Sequence, residues 1–245
     1  MKIQYDLHLH SCLSPCGSDD MTPCNLVNMA ALLGYDMIAV TDHNSCLNAG
    51  AAIAAGKQAG IAVVPGMELC TAEEAHVVCL FPTLEDALQF QVYVDGKSYL
   101  VENRPDIFGR QLIMGEEDVL VGEEPRLLLN ATKITAQEAS HAARLFHGTA
   151  FPAHIDRDSF SLLTSLGSIP PEAEFHAAEI TASGDVEKLV HTNPELQDMI
   201  LLLDSDAHYL EDMRDPGSWL DLPENSASCL IAVLNGEEKI SWGRK

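Results

Sequence analysis

Five short apolar runs in this chain each hand over directly to a cluster of histidines or acids, and that repetition limits the fold more than any other feature. Residues 2–7 lead into Asp6-Leu7-His8-Leu9-His10, residues 37–40 into Thr41-Asp42-His43-Asn44, and residues 61–64 into Gly66-Met67-Glu68, with Ala75-His76 soon after. Residues 150–153 lead into His154-Ile155-Asp156, and residues 200–203 into Asp204-Ser205-Asp206-Ala207-His208. A parallel strand covered on both faces reads as an unbroken apolar run, and the loops after such strands build active sites in barrels. One carboxyl-end rim would therefore collect every cluster. His8 and His10 stand two residues apart, which in extended chain puts both imidazoles on one face, roughly 7 Å apart along the strand. Two neutral nitrogens on one face make half of a zinc-like site.

The segments between the runs read as helices. Thr22-Pro23 gives an N-cap with proline at the first helical position, and Leu26, Met29, Ala30 and Leu33 then recur at helical spacing before Gly34. Residues 47–59 are alanine-rich and end at Gly60. Thr135-Ala136-Gln137-Glu138 is a capping-box pattern that opens a helix to His147, stopped by Gly148. Strand and helix in alternation predict a wound α/β fold. At 245 residues the chain suits one barrel-sized domain over 1–245.

Two stretches break the alternation. Residues 92–132 hold Gly96, Gly109, Gly115 and Gly122 without a helical period and read as an irregular insertion, in which 111–114 and 119–121 flank an acidic tip as a hairpin. Residues 211–226 read as a surface loop ahead of a strand at 227–233.

Charge and cysteine usage narrow the function. With 14 basic against 37 acidic residues the net charge is -23, which opposes binding to a long phosphate backbone, since that binding draws on lysine and arginine. Bound divalent ions would reverse the sign locally and admit a small phosphorylated molecule or a short oligonucleotide. No apolar stretch is long enough to span a bilayer and the chain opens without an apolar signal segment, which points to the cytoplasm, where seven cysteines read as free thiols. The oligomeric state is not written in the sequence.

The motifs His8-Leu9-His10, Thr22-Pro23, Thr41-Asp42-His43, Gly66-Met67-Glu68, His76, His154 and Asp206-Ala207-His208 together resemble the PHP (polymerase and histidinol phosphatase) family, across nearly the whole chain. The resemblance implies a distorted seven-stranded, TIM-like β/α barrel, a centre of two or three divalent ions (Zn, Mn or Fe), and phosphate ester hydrolysis. It implies His8, His10, Glu68 and Asp206 around one ion, Glu68 bridging to a second held by His76 and His154, and His43 with His208 at a third. The family usually supplies one more third-site ligand shortly after the HxH pair. Here the loop is longer and offers Cys16, Asp19 and Asp20. Cys16 reads as a ligand or as a partly buried thiol, and Asp19 and Asp20 as ligands or as solvated acids before a helix. Asp42 reads as a ligand or as a group orienting a neighbouring histidine. His141, His147, His176 and His191 carry no acidic ligand pattern and read as structural.

Such a centre predicts a hydrolase acting on a small phosphomonoester, because metal ions acidify water towards a pKa of about 7 and the hydroxide so formed would attack phosphorus. His208 and Arg157 are the candidates to act on the substrate directly, Arg157 as a fork for two phosphate oxygens, with Arg104 as a second choice. The alternatives are phosphodiester cleavage of nucleotides or short oligonucleotides, hydrolysis of C–N or C–O bonds as in amidohydrolases, and a non-enzymatic, metal-binding regulatory role.

Overall fold

The structure, a computed structural model, describes residues 1–244. The chain begins β1 (Lys2–Leu9), α1 (Pro23–Leu33), β2 (Met37–Val40), α2 (Ala49–Ala59), β3 (Ala62–Cys70), β4 (His76–Leu80) and α3 (Leu84–Asp95). The middle holds α4 (Pro105–Phe108), β5 (Leu112–Met114), β6 (Leu120–Glu123), α5 (Ala136–Leu145), β7 (Thr149–Pro152) and α6 (Leu162–Leu166). It closes with β8 (Ala177–Ile180), α7 (Val186–Thr192), β9 (Ile200–Leu203), β10 (Ser218–Asp221), α8 (Ala227–Leu234) and β11 (Trp242–Arg244).

Helix ends follow the local chemistry. Thr22 caps α1 by accepting from Asn25 N, and Gly34 ends it in the left-handed region at φ 87°. Thr135 caps α5 in the same way, but the Glu138 carboxylate turns to Lys97 and Tyr93 instead of closing the box, and the helix ends at Leu145, before the expected His147.

The main sheet has seven strands in the order β11-β10-β1-β2-β3-β4-β7, curled so that β8 and β9 fill its open side. Ile155 N donates to the Glu179 carbonyl at 2.9 Å and His10 N to the Ala207 carbonyl at 3.1 Å, which ties the β8–β9 pair to β7 and β1 at the rim. The interior is a single apolar cluster with Leu7, Met37, Val64, Val78, Phe151, Ala177 and Leu202, which come from β1, β2, β3, β4, β7, β8 and β9, the seven strands of a distorted ring. Alternate residues such as Val77, Cys79, Ala178 and Leu201 point outward into a second cluster under α3 and α5.

Three expectations fail. The strands are not all parallel: β4 runs antiparallel to β3 and β7 antiparallel to β4, because the short link 71–75 permits a hairpin and not a crossover. Residues 227–233 form helix α8, capped by Ser226, since an apolar run of this length fits a buried helix as well as a strand. The presumed loop 211–226 contains β10, which pairs antiparallel with the first residues of β1.

The insertion is more ordered than its composition suggested. Its first residues belong to α3, and β5 and β6 form the expected hairpin with Glu116–Asp118 at the tip. Asp118 reaches α1, where its carboxylate accepts from Cys24 N at 2.9 Å and from the Thr22 hydroxyl. Gly109 lies so close to the loop after β1 that a Cβ there would come within 2.0 Å of the Pro15 carbonyl oxygen.

Candidate metal centre

The site begins with an irregularity in β1. Asp6 pairs with Ile38 and Leu9 with Val40, so three steps along β1 match two along β2. This bulge re-aims the chain. Leu7 points into the barrel and strict alternation would send His8 and His10 outward; the extra residue turns both inward, while Leu9 joins a separate outer cluster with α1. The Nε2 atoms of His8 and His10 end 3.2 Å apart.

Glu68 comes from the middle of β3, on the same face as Val64, and not from a loop after the strand. Gly66 precedes it because β4 crosses closely: a Cβ there would meet the Cys79 carbonyl oxygen at 2.6 Å. The hairpin pairs Cys70 with His76, so His76 stands at the start of β4 but at the same end of the barrel as the other ligand candidates. His43 follows β2, His154 follows β7, and Asp206 and His208 follow β9. His154 and Asp206 hold positive φ of 28° and 51°, a strain that the surrounding structure must enforce.

Glu68 is the hub. Its Oε1 lies 2.7 Å from His76 Nδ1 and 3.2 Å from both His8 Nε2 and His154 Nε2. Its Oε2 lies 2.8 Å from His43 Nδ1 and 3.5 Å from His10 Nε2. Asp206 Oδ1 is 3.1 Å from His10 Nε2 and 3.4 Å from His8 Nε2. Ligand atoms within 4.8 Å of one another form three groups: His8, His10, Glu68 and Asp206; His43, Glu68 and His76; and His10, His43 and His208.

Hydrogen bonds behind the rings fix which nitrogen faces inward. The Ser14 hydroxyl donates to Asp42 at 2.7 Å, so it can only accept from His10 Nδ1 at 2.8 Å, which leaves the His10 Nε2 lone pair aimed at the centre. The Glu179 carboxylate takes His8 Nδ1 at 2.6 Å and does the same for His8 Nε2. Asp42 is therefore an orienting residue, since Ser11 N, the Ser11 hydroxyl and the Ser14 hydroxyl occupy its oxygens. Glu179 was missed in the sequence because β8 ends in no polar cluster; an acid inside the apolar run Ala177-Ala178-Glu179-Ile180 was the available signal.

These donors suit divalent ions. Buried Glu68 Oε2, His43 Nδ1, His76 Nδ1 and Asp206 Oδ1 lack a hydrogen-bond partner of good geometry although they converge on one another. Burial alone would raise the Glu68 carboxyl, yet His76, His8 and His43 hold it well below the usual carboxylate range. Burial opposes charge on His8 and His43 too, but the facing carboxylates win: His8 is raised well above an ordinary imidazole, and His43, facing Glu68 and Cys16, is pushed up to about 10. Burial, then the neighbouring His208 and His43, pushes His10 far down. Imidazoles raised by carboxylates therefore share this space with one, His10, shifted the opposite way.

The remaining candidates divide. Cys16 Sγ sits 3.2 Å from His43 Nε2; burial raises the thiol, but hydrogen bonds from His208 and His43 lower it to about 6. Asp20 is exposed and outside all three groups, and Asp19 faces Arg110 at 3.4 Å, because the loop after β1 turns both acids towards solvent and the insertion. Asp20, expected as a ligand, is therefore not brought to the centre. Arg157 reaches the centre, with Nη1 2.6 Å from Asp206 Oδ2, whereas Arg104 pairs with Asp106 on the insertion surface. His147 and His191 are exposed and, with His141 and His176, lie outside the three groups.

A family model for the PHP domain matches residues 6–156, more than half of the chain. No curated relative matches it by sequence. Among solved structures, the lesion-specific endonuclease PfuEndoQ from Pyrococcus furiosus superposes with a TM-score of 0.72 at 18% identity, covering 99% of this chain and 58% of its own. An endonuclease Q complex with a 27-mer duplex carrying an abasic lesion at the active site gives 0.68, at 18% identity over 98% of this chain and 58% of that one. A protein of Bifidobacterium adolescentis assigned to the metal-dependent phosphoesterases gives 0.58, at 17% identity over 83% of this chain and 87% of that one. This chain thus spans little more than half the length of the endonucleases, and at these identities the likeness is one of fold.

Proposed function

The chain belongs to the PHP domain family, and from that premise we propose that it is a phosphoesterase that hydrolyses small phosphorylated metabolites. In this reading His8, His10, Glu68 and Asp206 hold one divalent ion, Glu68 reaches a second at His76 and His154, and His43, His208 and Cys16 serve a third. The observation that carries it is Glu68, whose two oxygens face five imidazoles from four separate segments of the barrel rim. Bound ions at such a site supply Lewis acidity and ionise water near neutral pH. The chain's own residues supply the rest. Glu179 and Ser14 hold His8 and His10 in the tautomer that keeps protons out of the centre. Arg157, 43% exposed and anchored to Asp206, offers its free guanidinium nitrogens to two phosphate oxygens.

The test is hydrolysis of an aryl phosphate by protein stripped with chelator and then given Mn, Zn, Fe or Mg. Turnover restored by at least one ion and lost again on chelation is expected; no turnover with any of them contradicts the reading.

A second reading, cleavage of phosphodiesters in nucleic acid, is favoured by the fold shared with the endonucleases over nearly the whole chain. Net charge of -23 opposes a long backbone partner over the surface at large, whereas the path of a strand at the site depends on local potential. Relative rates on mononucleotides, short oligomers and a duplex with an abasic site separate the two readings.

A further inference from the structure

Beside the centre, on the β8–β9 side, lies a cavity of about 310 Å³, close to the lower end of the range for small-ligand sites. Its wall runs from Arg157 and Asp206 at the centre, past Thr181 and Ser205, to Arg214 and Asp215 in the loop between β9 and β10. Three of its four acids have one oxygen engaged, while Glu179 Oε1 and Asp204 Oδ2 keep no partner among the described residues. Glu179 accepts from His8 Nδ1 at 2.6 Å, Asp204 from Leu7 N at 2.6 Å, and Asp206 takes Arg157 at 2.6 Å. Arg214 makes no ion pair among the described residues, with Asp215 or any other acid. Its backbone is nonetheless anchored: Tyr35, another wall residue, donates its hydroxyl to the Arg214 carbonyl at 2.9 Å.

Arg214 is exposed, and its unpaired guanidinium lines a small cavity whose other end is the reaction centre, where it can meet an anion. We propose that this cavity is a subsite for a second anionic group of the substrate, a phosphate or a carboxylate, with Arg214 as its cation and Arg157 at the reacting phosphate. The proposal rests on the phosphoesterase reading and narrows its substrates to short molecules with negative charge at both ends. A guanidinium fork suits either anion, because both present two oxygens in one plane.

Non-hydrolysable three-carbon phosphonates separate the possibilities by equilibrium binding to the metal-loaded protein. The probes are propylphosphonate, 3-phosphonopropionate, propane-1,3-bisphosphonate and 3-aminopropylphosphonate. The two probes with a second anion should bind at least about tenfold tighter than propylphosphonate, the scale of one charge-assisted contact. Arg214→Ala should abolish that advantage and leave propylphosphonate affinity unchanged, while Arg214→Lys should keep part of it. The stronger of the two dianions identifies carboxylate or phosphate as the natural group. Equal binding of all four probes, an advantage that survives Arg214→Ala, or tightest binding of the aminophosphonate through Asp215 overturns the proposal. Hydrolysis of phosphate esters with no Arg214-dependent preference sinks the subsite and leaves the phosphoesterase reading standing. Arg214-dependent binding without any hydrolysis does the reverse.

Discussion

A single carboxylate organises the candidate centre, and the residues behind the rings matter almost as much as those in it. Glu68 was legible because an acid after a buried run is rare without a partner. Glu179 stood out only as an acid inside an apolar run, and that pattern does not say whether the acid aims into the barrel or at solvent; the pairing of β8 with its neighbours decides. Asp20 was misread for the converse reason, since proximity in sequence to His8 and His10 says nothing about which way a long loop folds. Removing an orienting partner of a ligating histidine typically costs 10- to 100-fold in metal affinity. Glu179→Ala should therefore weaken metal binding by about that factor, with Glu179→Gln intermediate, as measured by competition with a chromophoric chelator. Affinity within twofold of wild type in both variants would show that His8 needs no such support.

At the scale of elements, the α/β alternation and the helix caps at Thr22, Gly34 and Thr135 could be read directly, since each is a local chemical event. Strand direction could not. The hairpin of β3 and β4 brings His76 to the rim by reversing the chain, and an apolar run such as 227–233 carries no sign of whether it becomes strand or helix. The insertion reads as irregular in the sequence, yet it is tied to the centre through Asn48. Its amide donates to the Ser11 hydroxyl at 2.9 Å and to the Leu112 carbonyl at 3.0 Å, and its carbonyl accepts from Met114 N at 2.8 Å. All of this is buried. Asn48→Ala should destabilise the fold by about 3 kcal/mol, because several buried polar groups lose their partners at once. Urea denaturation measures this; a loss below about 0.5 kcal/mol would mean that the hairpin holds its place without Asn48.

For the whole molecule, the excess of 37 acidic over 14 basic residues and the concentration of imidazoles at one rim belong to a single electrostatic arrangement. In the metal-free protein, Glu68 and Cys16 push His43 up to about 10, so it carries a proton at neutral pH, and the carboxylates around His8 shift that ring in the same direction. A divalent ion competes with that proton. Metal uptake should therefore release protons into a weakly buffered solution at pH 7, and apparent affinity should climb as pH rises from 6 to 8. Affinity that is flat or falls across that interval would contradict the protonation pattern. The central claim is that Glu68 joins two or more ions in one centre. Elemental analysis of wild-type protein and of Glu68→Gln, each purified and then equilibrated with Mn or Zn and desalted, tests this most directly. At least two equivalents per chain in the wild type, falling to one or fewer in the variant, are predicted; fewer than one equivalent in the wild type with either ion, or the same content in both proteins, would contradict it.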